Sequence, residues 1–174
     1  AVFGHSFGGL VATEWVLRSS DAYACVVLQS PLFGVGFPVP RWKERLSGIA
    51  RVFCPMLSLS IGLDPTWLSH DPLIVQRYRQ DPLVHHHISL RGYAALQQTI
   101  QHVSAHASEL TTPTLVLYGA EDRVISLQAC KDIAERMTCE KRVVAFPGSY
   151  HELHHEAVRE DVVKQVVQWV QAHA

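Results

Sequence analysis

With 174 residues the chain is long enough for one domain with a core of its own. Hydrophobic residues make up 48% and charged residues 18%, the formal net charge is -1, and no basic run stands out, which argues against nucleic acid as a partner. Residues 52–63 come nearest to a membrane span but are broken by Pro55, Ser58 and Ser60. They fall short of the roughly 18 apolar residues a span requires. They read as a packed helix, with a helix lying on a membrane surface as the alternative.

Residues 1–3 read as the end of a buried strand that runs directly into Gly4-His5-Ser6-Phe7-Gly8, a match to G-x-S-x-G. In that pattern a serine sits on a tight strand-to-helix turn with its hydroxyl exposed at the edge of an α/β sheet. The flanking glycines suit a strained turn past which neighbouring backbone runs closely. Leu10, Val11, Trp15 and Val16 then form an apolar stripe on a helix. Such an elbow normally follows several strands, so the chain is expected to be the C-terminal part of a longer enzyme. Residues 24–29 read as the next strand.

From Leu32 to about Leu110 no convincing strand is visible, and the stretch reads as a helical insertion. Trp42, Leu46, Ile49 and Phe53 share a helical face. Asp71-Pro72 and Asp81-Pro82 each place a capping carboxylate before a proline suited to a first helical turn. Ser89 is positioned to cap a long helix bearing Tyr93, Leu96, Ile100 and Val103. The large apolar groups Trp42, Phe53, Met56, Leu57, Trp67 and Leu68 read mainly as the insertion's own core. Over a serine site they would also favour an apolar acyl chain. His85-His86-His87 reads as a solvated loop, because three adjacent side chains cannot readily share one ion.

Strand–helix alternation resumes with strands at 114–118 and 142–146. Ser126 opens a helix with Cys130, Ile133, Ala134 and Met137 on one face. The last helix presents Val162, Val163, Val166, Trp169 and Val170. The expected fold class is therefore α/β, a parallel sheet flanked by helices. Residues 1–31 and 111–174 form its core sheet, and 32–110 form an inserted helical cap. The four cysteines, Cys25, Cys54, Cys130 and Cys139, show no C-x-x-C pair or metal-finger spacing and are read as free thiols.

A serine nucleophile needs a base, and the base needs an orienting acid. Asp122 lies just beyond the strand at 114–118, and His151 just beyond the strand at 142–146. Ser6, Asp122 and His151 therefore converge on the carboxyl edge of one sheet, in the order serine, acid, histidine. Glu121 is a rival acid, although the shorter carboxylate better suits the geometry, and His154 and His155 are rivals to His151. His151-Glu152-Leu153-His154-His155 also matches the zinc-protease pattern H-E-x-x-H. That chemistry needs the motif within a helix and a third ligand, whereas here it opens straight after Pro147-Gly148.

GHSFGG, LYGAEDRVI and FPGSYHELHHE, with SLRGYAALQQTI in the insertion, resemble the monoglyceride lipase and lysophospholipase branch of the α/β-hydrolase superfamily, of serine aminopeptidase S33 type. The resemblance implies a serine hydrolase of monoacylglycerols, lysophospholipids or related carboxylic esters. Ser6 would be the nucleophile, Asp122 the acid and His151 the base. The Phe7 backbone N–H would form half of the oxyanion hole, with Gly4, His5 and Gly8 building the elbow. No cofactor is implied. The expected partner is a small lipid-like ester; transient contact of the cap with a membrane surface and the oligomeric state stay open. The expected place is the cytoplasm or the membrane periphery. The family's second oxyanion donor, from an H-G-x-G-type loop, has no counterpart in these residues, so this chain alone is expected to be inactive and poorly stable. Thioesterase, aminopeptidase and carbon–carbon hydrolase chemistry remain rivals within the fold. A non-catalytic binding module is the rival outside it.

Overall fold

The computed structural model describes residues 1–19, 22–38, 54 and 56–174. Four strands, β1 (Val2–His5), β2 (Val26–Gln29), β5 (Thr114–Gly119) and β6 (Lys141–Phe146), make a parallel sheet in the order β1-β2-β5-β6. The two central strands are buried at every position, whereas β1 and β6 are only partly covered. This is why β2 and β5 are continuous apolar runs in the sequence: a central parallel strand has helices on both faces. His5 pairs with Gln29, Gln29 with Leu117, and Gly119 with Phe146, so the strand ends lie together at one edge of the sheet.

Side chains alternate across this sheet with the period of two that a strand imposes. Val26, Leu28, Val116 and Tyr118 face one core with Leu10 and Val16 of α1 (Phe7–Arg18). Cys25, Val27, Leu115 and Leu117 face the other, where Val162 and Trp169 of α5 (Arg159–Ala172) close the layer. Cys130, Ile133 and Ala134 of α4 (Leu127–Arg136), with Met137 just beyond it, are buried as their spacing requires. Two expected stripes are narrower than they read. Val11 and Trp15 are 45% and 58% exposed, because α1 meets the sheet through Gly9, Ala12 and Thr13 as well as Leu10 and Val16. Small residues allow close approach but leave no apolar signal. Val163 likewise points outward at 54% exposure.

Between β2 and β5 the chain builds more than helices. Ser58–Ser60 (β3) pairs antiparallel with His87–Ser89 (β4), which corrects the strand-free reading of this stretch. Three-residue strands rich in polar groups carry no legible alternation and depend on the partner for their conformation. Asp71 caps α2 (Pro72–Gln80) by accepting from the Leu73 N–H, and Ser89 caps α3 (Leu90–His106) through the Gly92 N–H. Asp81 accepts from the Leu83 N–H at 2.8 Å, yet no helix follows; the carboxylate closes a turn instead. Leu68 and Val103 enter the main core, Trp67 packs against it, and Leu90 is buried. Met56 and Leu57 stand exposed, so the expected packed helix over 52–63 is absent from its described part, which forms a turn and β3. Trp42, Leu46, Ile49 and Phe53 lie outside the described residues. Among the described residues no helix is long and apolar enough to cross a membrane.

Candidate active site

Ser6 occupies the turn between β1 and α1 with φ 53° and ψ -122°, in a region that non-glycine residues rarely adopt. The strained turn is held by the backbone: the Ser6 N–H donates to the Gln29 carbonyl, and the Ser6 carbonyl accepts from the Gly9 and Leu32 N–H groups. Gly4 is required by space, since a Cβ there would lie 2.5 Å from the Gly8 carbonyl oxygen. Gly8 is not, because a Cβ meets nothing within 4 Å. The close approach belongs to Gly9, whose added Cβ would lie 2.9 Å from the Pro31 side chain. The Phe7 N–H sits in the first turn of α1, where helix N–H groups have no intrahelical acceptor.

Asp122 and His151 come from the loops after β5 and β6. His151 Nδ1–H donates to Asp122 Oδ2 at 2.7 Å, and Ser6 Oγ–H reaches His151 Nε2 at 2.9 Å. The Asp122 and His151 residues are 5% and 2% exposed, so this chain is shielded from water up to the serine. The other oxygen of Asp122 accepts from the Val124 and Ile125 N–H groups, which fixes the carboxylate plane. Glu121 is exposed and meets the neighbouring loop only through its backbone N–H, given to the Ser149 carbonyl. The two loops touch closely at Gly119, where a Cβ would lie 2.2 Å from the Ser149 carbonyl oxygen. A hydroxyl bonded to an imidazole that a buried carboxylate orients is able to attack an acyl carbon.

The sequence does not single out Ser30, Gln29 or His70, nor show how His5 and His154 pack around the site. Ser30, fully buried and at φ 45°, donates its hydroxyl to the His151 carbonyl at 2.8 Å. His5 lies alongside His151 with ring centroids 5.0 Å apart, and its Nδ1–H donates to the Gln29 carbonyl. Burial, with His151 and His154 nearby, lowers the His5 pKa to about 3. Burial and the adjacent His155 also lower that of His154, whose Nδ1 meets the Gln29 amide at 2.7 Å. Tyr150 stacks on His70, which is bound to Glu156, so the stretch after β3 docks against the His151 loop. Arg79, His70 and Tyr150, with Thr66, Ser69 and Val75, line a groove of about 540 Å³ there. Cys130 plays no part: burial, then the Asp122 charge, pushes its thiol up to about 12.

The H-E-x-x-H pattern does not form a zinc-protease site. Both ring nitrogens of His151 are engaged by Asp122 and Ser6, and residues 153–155 form a 3-10 turn rather than part of a long helix. Glu152, His154 and His155 make a separate group of metal-capable donors. His85, His86 and His87 remain exposed, as the loop reading has it, although His87 opens β4.

This architecture has close counterparts. The monoacylglycerol lipase of Mycolicibacterium smegmatis is 30% identical over 174 residues, covering 99% of this chain and 62% of that protein. The phospholipase YtpA of Bacillus subtilis is 28% identical, over 94% of this chain and 64% of its own length. The crystal structure of the Paleococcus ferrophilus monoacylglycerol lipase superposes with a TM-score of 0.93 at 30% identity, covering 99% of this chain and 68% of that one. The chain thus spans less than two thirds of the length of these two sequence relatives. The family model described as serine aminopeptidase, S33, matches residues 1–158, and the chain belongs to that family within the α/β-hydrolase fold.

Proposed function

We propose that this protein is a serine hydrolase of carboxylic esters, with lipid-like esters such as monoacylglycerols or lysophospholipids as its substrate class. The observation that carries the reading is the continuous hydrogen-bonded chain Ser6–His151–Asp122, at 2.9 and 2.7 Å. The lipid-like class rests on the relatives, which are a monoacylglycerol lipase and a phospholipase. Residues 32–110 are assigned as the cap over this site.

On this reading Ser6 Oγ attacks the ester carbonyl as His151 Nε2 takes its proton. Asp122 holds the ring in the tautomer that leaves Nε2 free to accept, and stabilises the imidazolium that results. The Phe7 N–H donates to the oxyanion, aided by its place at the N-terminus of α1. His151 then protonates the departing alcohol, and a water activated by the same ring releases the acid from Ser6. The elbow's backbone strain serves this chemistry by holding the hydroxyl away from the helix it precedes.

The test uses the complete protein, a fluorophosphonate probe and a panel of monoacylglycerols, lysophospholipids and an aminoacyl amide. Ser6→Ala is expected to abolish labelling and to lower ester turnover by about 10⁴-fold or more. Wild-type turnover in Ser6→Ala would overturn the assignment. Preference for the amide would move the substrate class to peptides.

A further inference from the structure

The H-E-x-x-H pattern fails as a protease motif, but its second half gathers ligands of its own. Glu152, His154 and His155 each offer a donor atom, and these atoms lie within 4.8 Å of one another. We propose that this E-x-H-H turn is a binding site for a divalent transition-metal ion of zinc type, separate from the Ser6–His151–Asp122 chain.

Three observations build the site. First, the turn is held in place before any ion arrives. Leu153 is fully buried, the Glu152 N–H donates to the Leu68 carbonyl at 2.8 Å, and the His155 carbonyl accepts from Ser69 Oγ at 3.1 Å. With Leu153 anchored inward, its neighbours stay at the surface: Glu152 and His154 are half-buried and His155 is exposed.

Second, one imidazole is braced from outside the cluster and the other already meets the carboxylate. Gln29 holds His154 Nδ1 at 2.7 Å, which leaves Nε2 on that ring, while His155 Nδ1 and Glu152 Oε2 lie 2.7 Å apart, so an ion taken between them would replace their hydrogen bond. Bracing of one ring nitrogen by an amide or carboxylate is the usual support for a metal-ligating histidine. When Nε2 binds metal, Nδ1 carries the hydrogen, and the Gln29 amide accepts it after turning over.

Third, His151 cannot compete, because both its nitrogens are occupied. Two imidazoles and one carboxylate form the donor set that zinc takes with a water in the fourth position. Donors around one such ion lie roughly 3.5 Å apart, so small side-chain rotations close the cluster. The other histidine-rich segment, His85 to His87, lacks this bracing among the described residues, where only His85 has a ring hydrogen bond, to the His87 carbonyl at 3.0 Å.

The experiment is a titration of the complete protein with Co²⁺ alone, followed by its visible absorption and by displacement with Zn²⁺. One Co²⁺ per chain should give a saturable absorption band. His154→Ala and His155→Ala should each weaken binding about tenfold or more, and Glu152→Gln by a comparable factor. Replacing His85, His86 and His87 together by Ala should leave the band unchanged. If a substitution at the turn unfolds the protein, the wild type still decides. Paramagnetic broadening of its amide resonances should centre on residues 152–155. Absence of a saturable band overturns the proposal. So does binding that survives loss of both His154 and His155, or broadening centred on residues 85–87. None of these readouts depends on ester turnover.

Discussion

The parallel sheet and the stretch between β2 and β5 both carry large apolar residues, yet they use them differently. In the sheet, Leu115, Val116 and Leu117 are fully buried, because neighbouring strands and helices close on both faces. In the interposed stretch Met56 is 80% and Leu83 87% exposed, while Leu68 and Val103 are buried where they reach back into the core of the sheet. Apolar character alone therefore says little about packing. What decides is whether a residue lies on an element that the sheet has already enclosed.

The largest test of this contrast is at the edge of the sheet. Asp122→Asn in the complete protein should lower kcat about 10⁴-fold by favouring the wrong tautomer of His151. Glu121→Gln, one residue away but exposed, should leave it within about twofold. Equal losses at both positions would mean that the loop as a whole matters, rather than the buried carboxylate.

Leu117→Ala and Leu83→Ala carry the comparison into stability. Loss of the fully buried leucine should cost about 2–5 kcal/mol in urea unfolding. Loss of the exposed one should stay within about 0.5 kcal/mol. A costly Leu83→Ala would show that this turn is covered in solution.

Gly4 and Gly8 sharpen the same point inside one motif. Gly4→Ala forces a methyl group against the Gly8 carbonyl and should cost about 1–3 kcal/mol, with weaker labelling of Ser6. Gly8→Ala adds its methyl to open space at the start of a helix and should be neutral or stabilising by up to about 1 kcal/mol.

The smallest effect is that of His5. Its pKa in the folded protein, about 3, is lower than its ordinary value of 6.5. The unfolded chain therefore binds the proton first as pH falls. Stability from this group is complete well above pH 6.5 and is lost as pH falls through that value towards 3, so at pH 5.5 about 1.4 kcal/mol should be missing. His5→Gln should flatten that part of a denaturant-midpoint profile. An unchanged acid slope would show that other groups govern it.

By itself the sequence determined the alternation of strands and helices, the caps at Asp71 and Ser89, and the order of Ser6, Asp122 and His151 along the chain. These rest on local rules: the period of an element, the chemistry of a helix start, and the residues that tolerate a sharp turn. Tertiary structure decided the rest. It placed the Asp122 carboxylate, and not that of Glu121, against His151, because the turn after Gly119 is set by contact with Ser149 on another loop. It made Gly9 and Ser30 necessary neighbours of the elbow and the histidine, through Pro31 and the His151 carbonyl. It turned Val11 and Trp15 outward, and it brought β3 to β4 across nearly thirty residues of chain. Contacts of this kind join segments far apart in sequence, and no local pattern of apolar and polar residues encodes which of them will meet.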